Sequence, residues 1–205
     1  GIEIAGGVSR LTIRNNTISD NSGLPTDGPT NLKYGNGIVL IRGSSDSGEQ
    51  IGLGPENLTI KDNDVINNEK NGIYTGPVSK NYVITGNNIQ NNGWDGIRLD
   101  MEAHYKNPTF EDEDRIGFFE AAENVTATHN NIYDNSELGV NVVGTPENDF
   151  VLNATLNWWG AASGPGDKIS ESVDADPWIT DSYGLSMEEI LEPEGVRYSS
   201  APTLS

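Results

Sequence analysis

"NNTISDN" at residues 15–21 returns as "DNDVINN" at 62–68, as "NNIQNN" at 87–92 and as "NNIYDN" at 130–135. Asparagine is poor in helix and strand interiors and favoured in turns, because its short amide bonds to neighbouring backbone groups. Asn pairs recurring around an isolated Ile or Val therefore predict one turn repeated in space. Extended to the left, the copies read "LTIRNNTISDN" from Leu11, "LTIKDNDVINN" from Leu58, "YVITGNNIQNN" from Tyr82 and "VTATHNNIYDN" from Val125. An altered fifth copy, "LNATLNWW" from Leu152, puts Asn157 in the Asn column and Trp159 at the Ile position.

Each of the first four copies is followed by a Gly and an alternating apolar tetrad: "GIVL" at 37, "GIYT" at 72, "GIRL" at 96 and "GVNV" at 139. One unit thus holds three short strands with turns marked by Asn and Gly. A helical period near 3.6 is missing, and Asn, Gly and Thr are too frequent for helix. The Asn column falls at 16, 63, 87, 130 and 157, giving steps of 47, 24, 43 and 27. The minimal coil is about 24 residues, and the long steps carry insertions of roughly 20. Stacked coils place equivalent residues about 4.8 Å apart, so each strand pairs in parallel with its counterpart in the next coil. Asn16, Asn63, Asn87, Asn130 and Asn157 are then expected to form an internal ladder of amides that satisfies buried turn groups.

With that pattern, residues 1–180 resemble the right-handed parallel β-helix repeat proteins of the pectin-lyase-like superfamily. The expected fold class is all-β, a right-handed single-stranded parallel β-helix of five to six coils with inserted loops. A narrower resemblance lies in "ATLNWWGAASGPG" at 154–166 followed by "VDADPWIT" at 173–180. It is similar to the terminal segment of archaeal and bacterial surface or secreted β-helix proteins, some of them NosD-like, and implies an extracellular or cell-surface setting. Residues 181–205 are expected to form a cap and tail, with "SMEEILEPEG" as a short helix opened by a Ser186/Glu189 capping box and stopped by Pro193.

Composition narrows the partners. The net charge of −19 is lopsided: residues 1–100 hold 11 acids against 8 bases, residues 101–205 hold 20 against 4. Such a surface repels phosphate backbones, so nucleic acid and anionic membranes are not expected partners. There is no cysteine, which excludes disulfides and thiolate metal sites, and no apolar run of about 18 residues that would cross a bilayer. The opening "GIEIAGG" reads as the inside of a structural unit, as expected for a fragment of a longer protein.

Insertions are where a solenoid carries specificity, and three are expected, at 22–34, 42–56 and 101–122. The first two read as plain surface loops. The third mixes His104, Tyr105, Phe110, Phe118 and Phe119 with an acidic run in which Glu111, Asp112 and Asp114 can offer oxygen ligands to Ca2+. The commoner reading of such a run is a solvated face. Outward positions of the Gly-Ile strand form a further column, Glu3, Val39, Tyr74, Arg98 and Asn141, flanked by Ile41 and Asp100. In β-helix enzymes of the resembled superfamily this face commonly forms the sugar cleft. "WDGIRLD" at 94–100 is the best single site, making Tyr74, Trp94, Arg98, Asp100 and Asn141 the ligand-binding candidates. The bland alternative is a row of ordinary exposed strand residues.

For catalysis, paired carboxylates about 5 to 10 Å apart are needed for glycoside hydrolysis, and Asp95 with Asp100, beside Arg98, are the weak candidates. Polygalacturonase-type motifs are absent, His129 reads as a turn residue, and two His and six Lys leave general bases scarce. Four sequons, at Asn15, Asn57, Asn124 and Asn153, are candidate glycosylation sites on accessible turns, although an Asn- and Thr-rich repeat also generates such matches by chance. The leading expectation is a non-catalytic extracellular module, structural or adhesive, that contacts a polysaccharide or surface glycan through the Tyr74/Arg98 face. The alternative is a polysaccharide lyase or glycoside hydrolase using the same face. A second alternative is self-association into a surface layer or filament through an open N-terminal coil edge.

Overall fold

The computed structural model describes residues 1–23, 34–41, 54–76, 79–101, 123–144, 150–182 and 198–199. Among them every regular element is a β-strand. The acidic run with Glu111, Asp112 and Asp114, most of each expected insertion, and the proposed cap helix lie outside the described residues.

Three parallel sheets run the length of the solenoid. Sheet A is β1 (Ile2–Ala5), β4 (Ile38–Ile41), β7 (Ile73–Thr75), β10 (Ile97–Asp100) and β13 (Val140–Val143), in that order. Sheet B is β2 (Thr12–Arg14), β5 (Glu56–Lys61), β8 (Lys80–Thr85), β11 (Glu123–Thr128), β14 (Leu152–Asn153) and β15 (Val173–Asp174). Sheet C is β3 (Thr17–Ser19), β6 (Asp64–Ile66), β9 (Asn88–Gln90) and β12 (Asn131–Tyr133). The chain visits A, B and C once per coil, so each strand of these three sheets pairs with its equivalents above and below. A final coil is traced by Ile169 against Val140, β15, and β16 (Trp178–Ile179), whose Ile179 bridges Trp158. β16 also pairs antiparallel with β17 (Tyr198–Ser199).

Strand alternation sends one residue in two to a narrow apolar core. Ile18, Val65, Ile89 and Ile132 stack in sheet C, and the Asn131–Trp158 bridge brings Trp159 into the next place of that column. In the third coil two core positions carry a polar pair: the fully buried Tyr82 donates its hydroxyl to Thr75 Oγ1 at 2.8 Å. That bond is why a Thr is tolerated in an otherwise aliphatic column.

The corners are held by amides. Asn16 donates its backbone N–H (3.1 Å) and its Nδ2 (3.0 Å) to Asn63 Oδ1. Asn63 does the same to Asn87 at 3.1 and 2.9 Å, and Asn130 to Asn157 at 2.7 and 3.1 Å. Between them Asn87 makes both bonds to Asn130 at 3.0 Å. The remaining Nδ2 proton reaches a carbonyl of the preceding coil, as from Asn87 to Ile60 O at 2.9 Å. A second ladder, Asn21, Asn68, Asn92 and Asn135, repeats the pattern at the next corner.

The residue before each ladder Asn is left-handed. At the first corner these are Asn15, Asp62, Gly86, His129 and Leu156, and at the second Asp20, Asn67, Asn91 and Asp134, all with φ between 54° and 67°. Asn and Asp tolerate that region better than other non-glycine residues, which explains the doubled Asn at 15–16, 67–68 and 91–92. One bends the chain and the other pairs with the next coil. At 87–88 and 130–131 the second Asn instead opens the sheet C strand. The glycine that opens each sheet A strand has a different cause: a Cβ on Gly72 would lie 2.7 Å from Gly96 O and 2.8 Å from Ile89 Cγ2.

Asn87→Ala would strand two donors of Asn63 and remove the side-chain bonds to the Ile60 and Thr85 carbonyls, while Asn130 Oδ1 keeps the backbone N–H of residue 87; at about 1–3 kcal/mol for a buried unpaired group, the loss should be roughly 3 kcal/mol or more. Urea unfolding should show a far smaller loss for Asn21→Ala, at the half-buried end of the second ladder. Gly72→Ala should cost about 1–3 kcal/mol through the overpacking its Cβ forces.

Candidate functional site

Gly96 immediately precedes β10, its Cα pressed against the next coil, where a Cβ would meet Gly139 O at 2.6 Å. From there alternation turns Ile97 and Leu99 into the core and leaves Arg98 and Asp100 on the outer face of sheet A. The register aligns Glu3 with Val39, Val39 with Tyr74, Tyr74 with Arg98 and Arg98 with Asn141. This is the column expected from the repeat. Its members differ in access: Glu3 is exposed, Arg98 and Asn141 are half-buried, while Val39 and Tyr74 are only 4 % and 7 % exposed.

A single polar network joins the middle coils. Arg98 Nε donates to Asp100 Oδ1 at 2.9 Å, and its Nη1 lies 3.6 Å from Asp95 Oδ2. Tyr74 donates its hydroxyl to Asp100 Oδ2 at 2.9 Å, and Asn141 Nδ2 donates to Asp95 Oδ2 at 2.9 Å. Asp95 Oδ1 accepts the Leu138 N–H at 3.0 Å, so all four carboxylate oxygens are engaged. Burial, with the Asp100 carboxylate beside it, pushes the Tyr74 phenol well above its ordinary range and keeps it a donor.

Asp95 is also a ladder residue. At this third corner Asn71 gives its backbone N–H (3.1 Å) and Nδ2 (2.9 Å) to Asn36 Oδ1, and Asp95 gives its N–H to Asn71 Oδ1 at 3.2 Å. A fully buried acid thus stands in an amide column, its charge facing Arg98. Next to it Trp94 is half-buried, with the Lys70 ammonium 5.1 Å from its ring centroid.

Coil repeat, corner amides and three parallel sheets agree with comparison to known proteins: the right-handed β-helix region family matches residues 1–156. The chain belongs to that family. Among solved structures, this β-helix is similar to a point mutant of the periplasmic alginate epimerase AlgG, with a TM-score of 0.52 and 18 % identity. The match covers 87 % of this chain and 35 % of that one, a likeness of fold. No curated protein sequence matches the chain at a significant level.

The structure of this β-helix brings Tyr74, Arg98, Asp100, Asn141 and Asp95 into one network and sets Trp94 at its corner edge. His129 lies apart from it, in the left-handed turn before Asn130, where burial lowers the proton affinity of its imidazole. Among the described residues no three His, Asp or Glu side chains converge as a cation site. No described helix is long and apolar enough to cross a membrane. Two features went unread in the sequence: the Asn36–Asn71–Asp95 column and the Lys70–Trp94 contact. Both carry a signal in hindsight, since Asn36, Asn71 and Asp95 all precede the strand-opening Gly, and Lys70 and Trp94 are one minimal coil apart.

Arg98→Ala would leave two enclosed carboxylates against each other without a cation, and calorimetry should show a loss of about 3 kcal/mol. Burial also raises the Tyr82 phenol, with Thr75 working weakly against it. The unfolded chain ionises Tyr74 and Tyr82 first, so their stabilising contribution is complete below about pH 10 and is lost as pH rises beyond it. The unfolding midpoint should fall across that alkaline range, and less steeply in Tyr82→Phe.

Proposed function

We propose that the chain is a non-catalytic, extracytoplasmic β-helix module that holds a polysaccharide against the outer face of sheet A. The observation that carries this reading is the closed network around Arg98, in which both oxygens of Asp95 and of Asp100 already have donors. A lyase, hydrolase or epimerase needs a base or acid that exchanges a proton with the sugar. Asp95 is fully buried and Asp100 is held from two sides, so neither is presented to a substrate as a free carboxylate. What the face presents is a fixed guanidinium edge, the Asn141 amide and the flank of Trp94. Those groups suit a sugar, whose hydroxyls accept and donate and whose C–H face packs on an indole.

The extracytoplasmic placement draws on the surface-protein resemblance of residues 154–180, and the periplasmic location of the structural neighbour is compatible with it. The neighbour's substrate, alginate, enters here as a ligand to be tried.

The reading is tested by binding and turnover on one polysaccharide panel, neutral polymers beside alginate and polygalacturonate, with and without Ca2+. Binding without release of unsaturated, shortened or epimerised product is expected. Arg98→Lys keeps the charge but loses the planar fork, and should weaken binding about tenfold while leaving the fold intact. Product formation by the wild-type chain that Asp100→Asn abolishes would replace the module with an enzyme.

A further inference from the structure

We infer that Asp95 sets the charge preference of the sheet A face, so that it takes neutral polysaccharides and rejects those bearing uronate carboxylates. This rests on the glycan-binding reading above.

Asn71 binds Asn36 through both a backbone N–H and an amide proton, whereas Asp95 binds Asn71 through its backbone N–H alone. A carboxylate has no proton for the second bond, so the third corner by itself favours an amide at this position. The acid is instead matched to the outer face. Its Oδ2 takes Asn141 Nδ2 at 2.9 Å and lies 3.6 Å from Arg98 Nη1.

The consequence is electrostatic. Arg98 contributes one positive charge and faces two carboxylates, Asp95 and Asp100, which leaves the cluster one negative charge in excess. The Arg98 side chain is 19 % exposed, and its Nε is committed to Asp100 at 2.9 Å. An approaching uronate would meet that excess charge inside a chain already at −19. A hydroxyl bears no such penalty, because it can accept from the guanidinium edge or donate to a carboxylate. An isolated arginine on this face would do the reverse, since a planar guanidinium pairs readily with a carboxylate. Asp95 is thus a specificity-determining positioning residue that acts through Arg98.

The test is Asp95→Asn, which brings the cluster to neutrality and supplies a ladder donor toward Asn71 in exchange for the acceptor that Asn141 Nδ2 uses. Affinity of wild type and variant is measured for a neutral panel of β-glucan, mannan and xylan, and for alginate and polygalacturonate, with divalent cations chelated and at two salt concentrations. The wild-type chain is expected to bind its best neutral polymer at least tenfold more tightly than either polyuronate. The variant should narrow that ratio about tenfold, most at low salt, while still unfolding in one cooperative transition. Wild-type binding of polyuronate as tight as that of neutral polymer, or an unchanged ratio in a folded variant, would overturn the inference. Polyuronate binding gained only in the variant would retain the inference and sink the neutral-glycan function. If neither chain binds any polymer, that function fails and Asp95 is decided by unfolding. A double-mutant cycle of Asp95→Asn with Arg98→Gln should show coupling, and strictly additive effects would reject the charge assignment.

Discussion

The structure depends on pairing polar groups at the corners of a very narrow solenoid. A coil of about 24 residues has almost no interior, so its turns bring backbone N–H and C=O groups next to the core, where an unpaired group is costly. Asparagine meets this need because one side chain both accepts and donates. Its Oδ1 receives two protons from one neighbouring coil, and Nδ2 gives one to the following amide and another to a carbonyl, as Asn87 does with Asn63, Asn130 and Ile60. The same residue type is acceptable at the left-handed position just before it, so two demands of the turn converge on one composition. The close approach at Gly72 and Gly96 follows from it, because stacked corners bring neighbouring coils within reach of a Cβ.

Where that rule is relaxed, the molecule becomes individual. The third corner begins as an amide column with Asn36 and Asn71 and then places a fully buried acid, Asp95. Asp95 gives up a ladder bond and gains Arg98 and Asn141, which ties an internal corner to the outer face of sheet A. Tyr74 and Asp100 complete the arrangement from the neighbouring strand and the strand end. The result is a polar cluster in which every carboxylate oxygen has a donor and one negative charge is left in excess.

Membership of the right-handed β-helix family and likeness to an alginate epimerase describe a scaffold. Such a scaffold is indifferent to chemistry, since the corner amides and aliphatic stacks that build it carry no reacting group. Function therefore has to be argued from the few places where the coil departs from its repeat, and among the described residues the network around Arg98 is the richest of these.

The sequence by itself determined the coil. Asn16, Asn63, Asn87, Asn130 and Asn157 recur at fixed distances from apolar pairs, and local turn preference with strand alternation is enough to predict parallel stacking and the outward column of Glu3, Val39, Tyr74, Arg98 and Asn141. Only the tertiary structure decided what that column does. Tyr74 and Asp100 are 26 residues apart and Asp95 and Asn141 are 46 apart, so their bonds exist because coils stack. A repeat encodes direction, inward or outward, through its period. Burial and charge pairing are sums over neighbours in other coils, and no period of a single strand contains them.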